Sequence, residues 1–201
     1  MRRVVVLALL ALALPMAAWA DGITLTNQFG SISISTSGIS SIGSQLTSFN
    51  GIVAPAGHSL GTVSFTTGAL TSGSLAAGGT FSATGSTFVV IGKGNYGEPK
   101  GTIFNGSFVG PITWTLLSGT KGGTQEFALT GTIEGMLYTG RMVSGTTTQD
   151  IYTTKGQLAK GIGHIKLGTT TLSTPEPGTL GLLGTGLVGI AGMFRRKLIR
   201  G

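Results

Sequence analysis

The sequence predicts an all-β domain, an antiparallel sheet closed on itself as a sandwich or a barrel, and three observations lead there. Short stretches alternate apolar side chains with hydroxyls, glycine-rich pairs separate them at close spacing, and no internal segment repeats its apolar residues with a helical period. Strands joined by short turns bury one face each by folding the sheet over itself.

Taken in chain order, residues 22–60 carry the weakest signal. Ser, Gly and Ile recur there without firm punctuation. Apart from the alternating run Ser31-Ile32-Ser33-Ile34-Ser35, this part reads as an edge region or a partly ordered arm. Thr62-Val63-Ser64-Phe65-Thr66, Thr80-Phe81-Ser82-Ala83-Thr84 and Ile112-Thr113-Trp114-Thr115-Leu116 each put apolar side chains on one face and hydroxyls on the other, the mark of a half-buried strand. Residues 87–91, 102–109, 125–133, 136–143, 146–152 and 163–172 have strand length and β-branched or aromatic content. Asn50-Gly51, Gly78-Gly79, the loop 92–97 and Gly122-Gly123 supply the positive φ that tight connections demand. The repetitive Gly/Ser/Ala segment 67–78 invites a β-solenoid, but no fixed period extends beyond it.

Charge is concentrated at the ends. The whole chain carries a net +7, yet Arg2, Arg3, Arg195, Arg196, Lys197 and Arg200 supply six of its 13 cations, and residues 21–174 hold seven cations against five anions. No basic stripe remains in the middle, so no nucleic-acid partner is expected. Cysteine is absent, which excludes disulfides and thiolate metal sites. About 150 residues suffice for one domain stabilised by its core alone.

Met1-Arg2-Arg3, the apolar run 4–14, Pro15 and the small-x-small sequence Ala18-Trp19-Ala20 have the layout of a signal peptide over 1–20, cut by signal peptidase after Ala20. At the other end, residues 173–201 form a second address. Pro175 and Pro177 bracket Glu176 in a stiff extended stretch. The uncharged apolar run 179–194 would span about 24 Å as a helix, short of a hydrocarbon core of about 30 Å, and its five glycines weaken it further. Arg195, Arg196 and Lys197 follow as a stop cluster that stays cytoplasmic.

That tail resembles the PEP-CTERM sorting signal of exported bacterial proteins, with Pro175, Glu176 and Pro177 as the motif. Thr174 stands where valine is common, and four residues extend past the basic cluster. The resemblance implies export of a domain over 21–172, transient anchoring in the inner membrane by a short transmembrane helix, and cleavage by an exosortase near the motif. It implies a cell-surface or extracellular protein in an exopolysaccharide or biofilm setting, with exopolysaccharide as a partner. It implies nothing about catalysis.

Two motif matches lie inside the domain. Gly57-His58-Ser59-Leu60-Gly61 fits the nucleophile elbow G-x-S-x-G, and Asp150 and His164 follow in the order of a hydrolase triad. A strand pattern follows Ser59, however, where the elbow needs a helix, and no βαβ units exist to support it. Gly92-Lys93-Gly94-Asn95-Tyr96-Gly97 fits G-x-G-x-x-G, but Glu98-Pro99-Lys100 follows where a dinucleotide site needs a helix N-terminus. Both matches therefore read as surface turns. His58 and His164 have no carboxylate at metal-ligand spacing, so no metal is expected, nor any cofactor. Glu126, Glu134 and Asp150 read as members of a solvated strand face. Among the aromatics, Trp114 is expected in the core and Tyr96 exposed, while Tyr96, Tyr138 or Tyr152 could stack on sugar rings. The expectation is a non-enzymatic structural or adhesive β-protein; the alternatives are a carbohydrate-binding module and, behind it, a serine esterase using Ser59.

Overall fold

The structure, a computed structural model, describes residues 22–119 and 123–173. In chain order they form β1 (Gly22–Gln28), β2 (Ser31–Ser35), β3 (Gly38–Phe49), β4 (Ile52–Val53), β5 (Gly61–Thr66), β6 (Leu70–Ser74), β7 (Gly78–Phe81), β8 (Thr87–Gly92), β9 (Gly101–Gly119), β10 (Thr124–Leu137), β11 (Met142–Thr154), α1 (Lys155–Ala159) and β12 (Ile162–Ser173). Eight of the strands close an antiparallel ring in the order β1, β3, β5, β8, β9, β10, β11, β12 and back to β1. Of the two architectures the sequence leaves open, the chain takes the barrel, which abolishes free edges in the ring.

The seam lies between the first and last strands, with Gly22 opposite Ser173 and Asn27 opposite Gly168. β2 continues β1 in the same register, Ser31 to Ser33 lying opposite His164 to Ile162 of β12, and both also pair with β3. The two are one barrel strand interrupted at Phe29 and Gly30, which sit at φ of 56° and 136°. The buried side chains change parity there, from Leu25 and Asn27 to Ile32 and Ile34. β3 makes the same change at Ile42 and Gly43, from Ile39 and Ser41 to Ser44 and Leu46. Residues 22–49 are therefore part of the barrel wall rather than an edge region or an arm. Their alternation is broken by these two irregularities, which re-aim the strand so that apolar residues on either side still point inward.

Other expectations are corrected in the same way. Segments 102–109 and 112–116 are one strand, β9, kinked at Gly110 (φ 71°) and Pro111 where its register with β10 shifts. Proline fits there because a bulge releases its position from the ladder. Residues 136–143 are not one strand: they hold the end of β10, the turn 138–141 and the start of β11, with Gly140 at φ 76°. Gly78-Gly79 opens β7 instead of forming a turn, and strand 80–84 stops at Phe81. A helix exists after all: α1 starts from a capping box in which Thr154 Oγ1 accepts from Gln157 N–H and Gln157 Oε1 accepts from Thr154 N–H. The hairpin of β6 and β7 leaves the ring and pairs with the second half of β9.

Eight strands leave an interior just wide enough for side chains to fill. Phe65, Phe88, Phe104 and Phe108 pack there with ring centroids 5.9 to 6.4 Å apart. Trp114 stacks on Phe127 at 4.3 Å and donates its indole N–H to the Leu75 carbonyl, which ties the β6–β7 turn to the core. One layer is polar. Asn27, Ser44, Thr147, Gln149 and Thr170 are buried together, joined by Asn27 Nδ2 donating to Ser44 Oγ (2.8 Å), Gln149 Nε2 to Thr147 Oγ1 (2.9 Å) and a Thr147–Thr170 hydroxyl bond (2.8 Å). Between Asp21 and Lys93 the chain has no Asp, Glu, Lys or Arg, so the contiguous arc β1, β3, β5, β8 is uncharged and rich in Ser and Thr. Among the described residues, the charged ones sit on the arc β9 to β12 and the loops that lead into it.

Candidate functional site

The two motif loops come together. Ser59, in the loop before β5, accepts a hydrogen bond from Lys93 Nζ at 2.7 Å, and Lys93 N–H donates to the Leu60 carbonyl at 2.8 Å. His58 meets the Tyr96 ring edge-on at 6.0 Å. Within the glycine loop, Glu98 is buried and its carboxylate accepts the N–H groups of Asn95 (3.0 Å) and Tyr96 (2.9 Å). Burial pushes its carboxyl up, but the backbone donors of Asn95, Glu98, Tyr96 and Gly94 outweigh that and hold it below the ordinary 4.5. The amides that would cradle a phosphate in a dinucleotide loop are taken by the loop's own anion, and the chain continues into β9 rather than a helix.

The triad reading meets a similar geometry. Ser59 leads into β5, with its hydroxyl bonded to Lys93 and with no hydrogen bond to His164 or Asp150. Asp150 lies on β11 opposite Ala128 and Leu167, and His164 lies on β12 stacked on Tyr152. Among the described residues, no three of His, Asp and Glu converge at metal-binding distance.

What the structure does bring together is a row across four strands on the charged arc. Ser118 of β9 lies opposite Glu126 of β10, Glu126 opposite Tyr152 of β11, and Tyr152 opposite His164 of β12. At about 4.8 Å between neighbouring strands, that row is about 14 Å wide. Tyr152 is 42% exposed and stacks on His164, ring centroids 5.4 Å apart at 29°. Lys166 reaches over β11 to Glu126, Nζ to Oε1 at 2.6 Å. Asp150 sits beside this pair; burial and the Glu126 charge push its carboxyl up, and Lys166 opposes them. The Glu126 partner also raises the Lys166 ammonium, by hydrogen bond and then by charge. Ser118, Thr124, Glu126, Tyr152 and Lys166 line a shallow depression of about 350 Å³.

Of the other singled-out residues, Trp114 is buried in the barrel and Tyr96 is exposed in its loop, as expected. Tyr138 projects from the β10–β11 tip, and Glu134 stands on β10 opposite Ser144. Lys166, Ser118 and Thr124 are absent from the sequence-derived set. The short link from β11 to β12 is the signal that could have found Lys166, because counting back from it sets His164 against Tyr152. Ala18, Ala20, Pro175, Glu176, Pro177, Arg195, Arg196 and Lys197 lie outside the described residues. So do the expected signal peptide and C-terminal transmembrane helix; among the described residues no helix is long and apolar enough to cross a membrane.

Residues 173–197 match the family model of the PEP-CTERM protein-sorting motif. No curated protein and no solved structure matches the chain. The chain thus carries a sorting signal consistent with an exosortase substrate, attached to a barrel for which these comparisons supply no relative.

Proposed function

From the sorting motif at 173–197 we propose that this is an exported protein, held briefly in the inner membrane by its tail and released by exosortase to a structural or adhesive role at the cell surface or in the extracellular matrix. The motif is the observation that carries the reading. The barrel contributes its character: a closed wall, one arc of which presents hydroxyls without charge. Such a surface meets hydrated polymers or further copies of itself without electrostatic repulsion. We read the 2.7 Å Ser59–Lys93 contact as a tie between the two loops rather than as catalytic machinery.

The decisive measurement is the C-terminus of the mature protein in its native host, read by mass spectrometry. Chains ending near Pro175–Pro177, and accumulation of the uncut form when the exosortase is deleted, are expected. A full-length chain that stays in the inner membrane with or without the peptidase would overturn the reading.

A further inference from the structure

The geometry points to a saccharide-contact site on the outer face of β10 to β12, with Tyr152 as the stacking platform and the Glu126–Lys166 pair as the hydroxyl-binding group. The ligand class is a pyranose unit of a linear glycan. This deepens the matrix reading above and rests on it for the source of the glycan.

A sugar ring needs an aromatic face for its C–H groups and paired polar groups for its hydroxyls, on a surface open enough to admit a chain. Tyr152 supplies the first. His164 stacks on its ring from the β12 side, while Tyr152 also lines the depression together with Ser118, Thr124, Glu126 and the Lys166 side chain that reaches over from β12. The ring is therefore braced from behind and its remaining surface borders a hollow. An aromatic side chain fixed in this way presents its negative π face at little entropic cost.

Glu126 and Lys166 supply the second requirement. One hydrogen bond joins them, which leaves an ammonium with further N–H donors beside a carboxylate with further acceptor positions. Adjacent hydroxyls on a pyranose, each both donor and acceptor, match that pair. Ser118 and Thr124 widen the polar wall. The third requirement follows from the shape. The depression is shallow and lies on a row that runs about 14 Å across the strands, so its outer face admits one unit of an extended glycan chain. No comparable arrangement surrounds Tyr96, whose ring meets His58 and whose loop amides are used by Glu98.

The test uses the purified full chain and a panel of immobilised linear oligosaccharides of neutral hexopyranoses and of hexuronates. Binding to at least one of them is expected, with Tyr152→Ala weakening it about tenfold, Tyr152→Trp retaining it and Tyr96→Ala leaving it unchanged. Glu126→Gln should weaken the same interaction, and the thermal melt of each variant confirms its fold. The inference is overturned if no panel member binds, if Tyr152→Ala binds as the parent does, or if Tyr96→Ala is the variant that loses affinity. Exosortase processing is read at residues 175–177 and glycan binding at residue 152, so each proposal fails on its own measurement.

Discussion

The side-chain amides of Asn27 and Gln149, 122 residues apart in the chain, face each other inside the barrel as a reciprocal pair, Asn27 Nδ2 to Gln149 Oε1 at 2.9 Å and Gln149 Nε2 to Asn27 Oδ1 at 3.3 Å. They belong to β1 and β11, and the strand between them, β12, places Gly168 opposite both. A Cβ at Gly168 would lie 2.2 Å from each amide oxygen. The absence of a side chain at one position is what lets two non-adjacent strands bond directly.

Gly168→Ala should therefore destabilise the domain by about 2–4 kcal/mol, because the methyl must displace a satisfied buried pair. Its φ is not in the left-handed region, so the effect is steric. Gly156→Ala provides the opposite sign: nothing lies within 4 Å of its added Cβ in α1, and helix propensity favours alanine by up to about 1 kcal/mol. Chemical denaturation of the two variants reads the contrast.

Ser41 is buried in β3 with an Oγ that has no hydrogen-bond partner. Ser41→Ala removes the desolvated hydroxyl and keeps the backbone ladder. A gain of about 1 kcal/mol is expected in the same assay; a loss would mean that the hydroxyl has a partner.

Glu98 sets an acid limit on the 93–100 loop. Its carboxyl lies below the unfolded value of 4.5, so its contribution is present above that pH and is lost as pH falls through the lower folded value. Glu98→Gln should cost about 1–2 kcal/mol at neutral pH and flatten the stability profile below pH 4.5. Amide exchange at Asn95 and Tyr96 should quicken in the variant at neutral pH, since both N–H groups donate to this carboxylate.

Asp150 has the opposite sign. Its carboxyl is raised, so the favourable contribution exists below the unfolded value of 3.8 and disappears as pH rises through the folded value. At pH 7 the ionised group is a small liability, and Asp150→Asn should stabilise by less than about 1 kcal/mol, given its partial exposure. Below pH 3.8 parent and variant should melt alike; a difference that persists there would assign the effect to packing instead.

Trp114→Phe tests how the β6–β7 hairpin is held. It keeps a ring against Phe127 but deletes the donor to the Leu75 carbonyl. A cost of about 1–3 kcal/mol is expected. Hydrogen exchange should rise most in residues 70–81.

Much of this fold is legible in the sequence where alternation is unbroken. Ser31 to Ser35 and Thr62 to Thr66 alternate cleanly and are strands. The first barrel strand is obscured because Phe29 and Gly30 switch which residues point inward, and a period-two pattern that changes phase midway looks like none. Residues 136–143 fail for the converse reason: strand-forming composition conceals a turn that Gly140 makes possible. α1 is too short to show a period, although its Thr154 and Gln157 spacing is a readable capping signal. The candidate site was visible as separate residues. The sequence reads Glu126 and Asp150 as a solvated strand face and Tyr152 as one of three tyrosines that could stack on a sugar, because it holds no register, and only register turns four positions on three strands into a neighbourhood.

The pairing of Gly22 with Ser173 has a bearing on synthesis. The earliest segment of the domain to leave the ribosome waits, with one flank unmatched, for the latest, so completion of the ring depends on the full length being made. A chain terminated before residue 162 would leave β1 and β11 as unpaired edges, open to strand pairing with other copies, so such a truncation should aggregate rather than fold as a smaller version of the same domain.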